Sequence, residues 1–196
     1  MRRIHAHLAA ALVLGALPAS AADVAPAGQQ KAETCQACHG ADGISQTPGV
    51  PSLAGQPNQF LQWQLVFFRS GRRQNELMSP MAASLSDQDV RDLGAFFAAL
   101  KPPEGAPPTD DKPALSETGK ALVAQHGCAR CHTDTFGGQR AAARLAHQHE
   151  EYIAKALADY RSGARPSTGV AAMTEAASGL SDADIAAIAH YLARLP

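Results

Sequence analysis

The apolar residues of this chain recur with helical spacing in short segments that are separated by loops. Between residues 58 and 70, apolar positions three and four apart predict a helix with one buried face. A similar helix follows Ser86, which is placed to cap free N–H groups and is followed by aspartates that suit the positive helix end. The expected buried positions are Phe60, Leu61, Leu65 and Phe68 on the first helix, and Val90, Leu93, Phe97 and Leu100 on the second.

Both apolar faces occur again in the second half of the chain. The first face recurs 92 residues later, in a helix predicted from Glu150 to Arg161. The second recurs 95 residues later, in a helix that opens with Ser181-Asp182-Ala183-Asp184. A single apolar face is usually only core, but two faces repeated in register indicate a duplicated domain. The counterparts are Tyr152, Ile153, Leu157 and Tyr160, and then Ile185, Ile188, Leu192 and Leu195.

The segments between these helices are predicted to form further helices, loops and a linker. Helices are predicted for residues 23–34 and from Ser116 to Cys128, and loops for residues 40–56 and 72–85. Lys101–Pro113 contains five prolines in thirteen residues, so it is expected to be a stiff, extended connector. The predicted fold class is all-α, with two tandem domains joined by a Pro-rich linker after a cleaved signal peptide. The predicted boundaries are 1–21 for the signal peptide, 22–101 for domain 1, 102–113 for the linker and 114–196 for domain 2.

The N-terminus has the features of a secretory signal peptide. Arg2 and Arg3 precede a short apolar run from Leu8 to Leu17, and Ala19-Ser20-Ala21 fits the small-residue cleavage rule. A membrane anchor is the alternative, but the run is short for crossing a bilayer. Loss of Arg2 and Arg3 changes the formal charge from −1 to −3, and no basic patch indicates nucleic acid. We therefore expect an exported periplasmic protein without a transmembrane segment in its mature form, leaving peripheral membrane association open.

Two identical motifs contain all four cysteines. Cys35-Gln36-Ala37-Cys38-His39 and Cys128-Ala129-Arg130-Cys131-His132 both read Cys-x-x-Cys-His, the pattern of covalent c-type haem attachment. Two thiols one helical turn apart can each form a thioether with one vinyl group of a porphyrin. The following histidine can then bind the iron. A redox Cys-x-x-Cys or a zinc site gives no reason for a histidine directly after each pair. The motifs predict two covalent haem c groups, with His39 and His132 as axial ligands.

Methionines at repeated positions are the candidates for the sixth iron ligand. Met78 lies seven residues before Leu85-Ser86-Asp87, and Met173 lies seven residues before Leu180-Ser181-Asp182. A lone methionine more often fills a core, but the repeat favours ligation here. Met81 has no counterpart, because Ala176 occupies the matching position.

The other histidines are weaker candidates for ligands. His126 and His190 are expected to be surface or structural groups. His147 and His149 have the same expected role, but either stays open as an alternative axial ligand in the second half. His5 and His7 leave with the signal peptide.

Taken together, these residues resemble the dihaem cytochrome c4 family, which has two class I cytochrome c domains in tandem. The resemblance covers essentially the whole mature chain and rests on the order and spacing of several modest motifs. They are the two Cys-x-x-Cys-His motifs, Pro51-Ser52-Leu53-Ala54-Gly55-Gln56, the Arg-Ser-Gly helix ends at residues 69–71 and 161–163, and Met78 or Met173 ahead of Leu-Ser-Asp-x-Asp.

The resemblance implies small helical domains whose first and last helices cross, with two haems close enough to exchange electrons. It also implies that the Pro51 carbonyl accepts a hydrogen bond from the axial imidazole. In the second half, Ala143 stands where Pro51 stands, and Thr133 replaces the glycine that follows His39. We therefore expect the second haem loop to be packed differently and the two reduction potentials to differ.

The function predicted is that of a periplasmic electron carrier without bond chemistry of its own, working in a respiratory chain toward a terminal oxidase. Its partners would be redox proteins, namely a respiratory donor and an oxidase, or a dehydrogenase. An alternative is a dihaem electron-transfer subunit of a multi-subunit dehydrogenase or other oxidoreductase, whose sequence would look much the same. A dihaem peroxidase would require an open iron site, which the paired methionines argue against.

Overall fold

The chain is described by a computed structural model that covers residues 21–167 and 172–195. The predicted signal peptide lies outside these residues except for Ala21. Within the described residues the fold is helical, and no helix there is long and apolar enough to cross a membrane. The helices are α1 (Ala21–His39), α2 (Asn58–Arg69), α3 (Met78–Ala83), α4 (Asp87–Ala99), α5 (Pro113–Gln125), α6 (Ala129–His132), α7 (Glu150–Ser162), α8 (Ala172–Ser178) and α9 (Asp182–Leu192).

The first and last helices of each half pack against each other, α1 on α4 and α5 on α9. A glycine permits the close approach in both pairs. Gly28 of α1 faces the backbone of Asp92, and Gly119 of α5 faces the backbone of Ala187, where a Cβ atom would collide. This confirms the crossing of the first and last helices in two tandem units.

The apolar faces expected from the sequence form the two cores. Leu61, Leu93 and Phe97 are buried in the first core, and Ile153, Ile185, Ile188 and Leu192 are buried in the second. These faces were predictable because burial of an apolar stripe every three to four residues is what holds a short helix in place.

Several helix boundaries differ from the sequence prediction. α1 continues past residue 34 through the first haem motif to His39, and α3 lies inside the segment 72–85 that was predicted as a loop. α5 begins at Pro113 instead of Ser116, because proline fits the first helical turn, where its missing N–H would have no partner. In the second half the helix is broken before the haem motif, and Gly127 takes a positive φ of 63° at the break.

Residues 101–112, the predicted linker up to Lys112, lie outside helices and strands, and the end of this segment is fastened to domain 2. His190 of α9 is fully buried, with its Nε2 3.1 Å from Asp110 and its Nδ1 3.2 Å from Glu150. Arg194 binds Glu150 at 2.6 Å and Asp111 at 3.2 Å. His190 is therefore a structural histidine, as expected, and it joins the linker to α7 and α9.

Both α4 and α9 begin with a reciprocal capping box. In α9 the Asp184 N–H donates to Ser181 Oγ at 3.1 Å, and the Ser181 N–H donates to Asp184 Oδ2 at 2.9 Å. Ser86 and Asp89 make the same pair at the start of α4. The capping role predicted for Ser86 is confirmed.

Replacing Ser181 by Ala should lower the free energy of unfolding by about 1 kcal/mol, because a helix N–H loses its acceptor. Hydrogen bonds from Ser181 hold the pKa of Asp184 below its usual value. The part of the capping contribution that comes from the Ser181 hydroxyl donating to the Asp184 carboxylate is therefore present above the unfolded-state pKa of about 3.9 and is lost as the pH falls through the lower folded-state pKa. Urea unfolding at neutral and acid pH should show a smaller penalty in acid.

Ser178→Ala is the matched control, since the exposed Ser178 hydroxyl only donates to Glu175 O within its own helix. It should change the free energy of unfolding by less than about 0.5 kcal/mol. Equal losses in the two variants would contradict the capping interpretation.

Candidate haem sites and the interface between them

The first haem-attachment motif lies on the last turn of α1. Cys35 is half-buried, Cys38 is exposed and His39 is buried. Within the described residues, neither cysteine forms a disulfide. The second motif repeats this arrangement, with Cys128 half-buried, Cys131 exposed and His132 buried in α6. Each histidine thus lies inside its domain, while its paired thiols reach the surface.

A backbone carbonyl orients each buried imidazole. His39 Nδ1 lies 2.8 Å from Pro51 O, and His132 Nδ1 lies 2.7 Å from Ala143 O. A carbonyl can only accept, so Nδ1 must carry the proton and Nε2 is left with the lone pair that binds metal. Burial lowers the pKa of both rings, which favours the neutral form that a ligand requires. The second loop does not differ from the first in this hydrogen bond, because the acceptor is main chain and Ala143 supplies it as well as Pro51 does.

The loop after the second motif has the backbone conformation of the first loop, although other residues stand at the positions of Gly40 and Gly43. Thr133 has a φ of 70° where Gly40 has 87°. Phe136 has a φ of 52° where Gly43 has 75°, and it accepts the corresponding two backbone hydrogen bonds. Non-glycine residues in this region store strain on the order of 1–3 kcal/mol each. Phe136 is buried in the second core, so packing of its ring offsets strain that Gly43 avoids.

The candidate methionines lie on the short helices α3 and α8. Met78 is half-buried and begins α3, where its N–H donates to Asn75 Oδ1 at 2.8 Å. Met173 packs against the second core, as Cys128 also does. Met81 is 43% exposed, one turn beyond Met78. These positions are compatible with the predicted ligation, which stays a prediction.

The arginine of each Arg-Ser-Gly helix end braces the methionine segment of its domain. Arg69 donates to Leu85 O at 2.8 Å and binds Asp87 at 2.6 Å. Arg161 repeats both contacts, with Leu180 O at 2.9 Å and Asp182 at 2.6 Å. Each arginine ties the end of one helix to the start of the next, across the segment that carries Met78 or Met173.

The two domains meet through reciprocal glutamine contacts. Gln148 donates to Ser52 O and accepts from Ser52 N–H, both at 3.0 Å. Gln56 donates to Arg144 O and accepts from Arg144 N–H, both at 2.9 Å. Gln148 and Arg144 lie 92 residues after Gln56 and Ser52, so the same two loop positions face each other from both sides. The interface therefore has approximate two-fold symmetry, with the haem-loop backbones in hydrogen-bond reach of the opposite domain.

Further contacts cross the interface beside the glutamines. His149 Nε2 lies 2.9 Å from Ser45 O, and the Phe60 N–H donates to Arg140 O at 3.1 Å. His147 takes a φ of 58° at the loop position of Gly55. One ring nitrogen of His149 is thus engaged with domain 1. Met173 stays the predicted ligand of the second iron, and His147 and His149 stay the alternatives.

Sequence reasoning did not identify Gln148 as an interface residue. The signal was available, because Gln56 and Gln148 share the offset of 92 that relates the apolar faces. The sequence alone does not show which of the repeated polar residues face the other domain.

The residues at both motifs fit covalent haem c, with two thiols one turn apart and a buried imidazole whose Nε2 is free for iron. A family model described as Cytochrome c matches residues 25–101 and 116–196. Cytochrome c4 of Pseudomonas aeruginosa is 39% identical over 180 residues, covering 89% of this chain and 90% of that protein. The crystal structure of reduced recombinant cytochrome c4 from Pseudomonas stutzeri superposes with a TM-score of 0.78 at 35% identity, covering 88% of this chain and 98% of that one.

A relative described as the thiosulfate dehydrogenase electron acceptor of Thiomonas intermedia is 33% identical over 205 residues, covering 100% of this chain and 92% of that protein. The fold and the sites define an electron-transfer protein that holds two covalent haem c groups, at Cys35 and Cys38 and at Cys128 and Cys131. The chain belongs to the cytochrome c family, as a two-domain member of the cytochrome c4 type.

Proposed function

We propose that this chain is an exported, periplasmic electron carrier that serves a respiratory chain and delivers electrons toward a terminal oxidase. In this proposal His39 and Met78 bind the iron of the first haem, and His132 and Met173 bind the iron of the second. When bound, each haem iron takes up and releases one electron by changing between its ferric and ferrous forms. The domains would comprise residues 22–101 and 114–196, with the linker between them.

The observation that carries the proposal is the pair of hydrogen bonds from His39 and His132 to main-chain carbonyls. They fix both rings with Nε2 available to iron, and they do so with the same acceptor geometry in both domains. A thioether from Met78 or Met173 on the other side would close the iron to substrate, which suits electron transfer and not catalysis. The hydrogen bonds from His39 and His132 to main-chain carbonyls are equal, which removes our sequence-based reason for unequal potentials.

A second candidate function is that of an electron acceptor dedicated to one dehydrogenase. It is favoured by the likeness over the full chain to the thiosulfate dehydrogenase electron acceptor of Thiomonas intermedia. The two functions differ in the donor, so reduction of the purified protein should be followed with a quinol-oxidising complex and with a thiosulfate dehydrogenase. Rapid reduction by the dehydrogenase alone would select the second function. Mass spectrometry of the exported protein, expected to start after Ala21, tests the periplasmic location.

We expect two covalently attached haems per chain. A pyridine haemochrome assay after acid–acetone extraction should give two haems per polypeptide, because thioether bonds resist the extraction. Replacing both Cys128 and Cys131 by Ser should leave one haem, while replacing Cys35 and Cys38 should leave the other. A single haem in the wild-type protein would contradict the dihaem proposal.

A further inference from the structure

The short helix α3, which carries the predicted ligand Met78, has an exposed face made of apolar side chains. Leu77, at its N-cap, is 71% exposed, and Met81 is 43% exposed. The Met81 N–H donates to Leu77 O at 3.4 Å, so the two residues lie one helical turn apart and their side chains are neighbours. Pro80, beside Met81, is exposed as well. We call Leu77, Pro80 and Met81 the α3 patch.

Large exposed apolar side chains are concentrated in the first half of the protein. Among residues 21–167 and 172–195 there are three, and all of them lie in domain 1. The third is Trp63 of α2, which stacks on Phe67 of its own helix with ring centroids 5.5 Å apart. Single apolar residues scattered over a surface need no explanation, but Leu77 and Met81 are adjacent and form a patch.

Domain 2 has the same short helix with the same pattern of burial, but without the apolar side chains. Residues 172–178 follow residues 77–83 by the offset of 95, and the two segments match in burial at every position. Ala82 and Ala177, at the inner face, are both completely buried. At the exposed positions of the patch, the counterparts of Leu77, Pro80 and Met81 are Ala172, Glu175 and Ala176.

The α3 patch is therefore not a requirement of the fold. The helix α8 forms at the equivalent place with alanines and a glutamate on its exposed face. A leucine and a methionine left in water forgo the favourable free energy that their burial would give. An apolar face that packing does not need and that water disfavours indicates a contact with another molecule.

The size and charge of the patch indicate which kind of molecule makes that contact. A six-residue helix is about 9 Å long, so its exposed face measures on the order of 100 Å². A stable protein dimer needs about 800 Å² on each side, whereas weak redox encounters lie at the small end of the range. Residues 77–83 contain no ionisable side chain, so the surface that complements this face is apolar and uncharged.

We propose that the α3 patch is the docking site of a redox partner protein, which meets it with an uncharged apolar surface around its own electron-transfer centre. Docking there brings the partner onto the helix of Met78, so one electron passes between the partner's centre and the first haem, and no bond is made or broken. Domain 2, whose α8 lacks the patch, exchanges electrons with domain 1. This inference rests on the electron-carrier function and the Met78 ligation proposed above.

The test is the second-order rate constant of electron transfer between the haem-loaded protein and a purified redox protein, measured by stopped flow. A terminal oxidase, which should oxidise the reduced protein, and a thiosulfate dehydrogenase, which should reduce the oxidised protein, are the two probes. The double variant Leu77→Ala with Met81→Ala has the residues that α8 carries, so the fold should be kept. Its rate constant should fall about tenfold, because two apolar contacts are lost on docking.

Two single variants control for surface changes as such. Gln74→Ala alters an exposed polar residue just before α3, and Leu77→Met keeps an apolar side chain in the patch. Both should stay within about twofold of the wild-type rate constant, because contacts around an interface anchor are nearly neutral and apolar exchanges of similar volume are tolerated. A loss in Gln74→Ala equal to that in the double variant would contradict the assignment to the patch.

Small redox reagents separate docking from damage to the haem. Ferricyanide and ascorbate need no docking surface, so they should react with the double variant as fast as with the wild type. The near-infrared band and both haems should also be retained. Equal slowing with ferricyanide and with the partner would place the effect at the haem and overturn the docking proposal.

Salt and the alternative occupants provide the remaining tests. The difference between the double variant and the wild type should persist at high ionic strength, because apolar contacts are not screened. A difference that disappears in salt would overturn the proposal. So would a wild-type dimer in sedimentation, or binding to phosphatidylglycerol vesicles, that the double variant loses, since the patch would then belong to a second copy or to a lipid surface.

The docking proposal and the proposed function fail in different ways. If the dehydrogenase alone reacts with the wild type, the terminal-oxidase role is wrong, while the rate with the dehydrogenase still tests the patch. If the double variant reacts as fast as the wild type with the probes, the patch is not the docking site, whichever partner the protein serves.

Discussion

Replacing Met78 by Ala should abolish the sulfur-to-ferric-iron absorption band of one haem and lower that haem's potential. The thioether stabilises ferrous iron, so water or another ligand in its place favours the ferric form. The drop should be roughly 0.2 V, a part of the ~0.8 V range that axial ligands set. Near-infrared absorption of the oxidised protein and a redox titration measure the two effects, and the band of the second haem serves as an internal reference.

Met81→Ala is the matched control, because Met81 lies on the same short helix but is 43% exposed. It should keep the band and both potentials. The choice of Met78 rests on the repeat, since Met173 is the only methionine of the second half and lies 95 residues after Met78. A Met81 variant that loses the band while the Met78 variant keeps it would show that the first loop is misaligned.

Replacing Gln56 and Gln148 together by Ala should loosen the two domains and slow electron exchange between the haems. Each substitution removes two hydrogen bonds to the opposite backbone. Unsatisfied buried groups cost about 1–3 kcal/mol each. Gln148→Ala should cost more than Gln56→Ala, because Ser52 is 4% exposed whereas Arg144 is half-buried and can bind water. Thermal unfolding and pulse-reduction kinetics measure the two effects.

Gln59→Ala supplies the control, since Gln59 is exposed on α2 next to the interface helix face. It should unfold and exchange electrons as the wild type does. If the double variant matched this control in both measurements, the glutamine pairs would not be what holds the domains together. Unchanged stability with slower exchange would instead locate their role in domain orientation.

Three features of the protein were determined by the sequence alone. The Cys-x-x-Cys-His motifs determine haem attachment locally, because the two thiols and the imidazole that face one porphyrin lie within about one helical turn. The apolar faces of α2 and α4 and their counterparts follow from helical period. The duplication follows from constant offsets of 92 and 95 residues. The motifs and the apolar faces depend on neighbours along the chain, and the duplication is a repeat of those same local patterns, which is why the sequence reveals all three.

The tertiary structure decided the features that depend on distant residues. Pro51 stands behind His39 and has no proline counterpart behind His132, yet Ala143 makes the same bond because only its carbonyl is used. Thr133 and Phe136 adopt glycine-like backbone, which local preference opposes and packing of the loop enforces. The pairings of Gln148 with Ser52 and of Arg165 with Gln64 join residues 96 and 101 positions apart. Such contacts follow no periodic pattern along the sequence. They are determined by how one domain docks on the other.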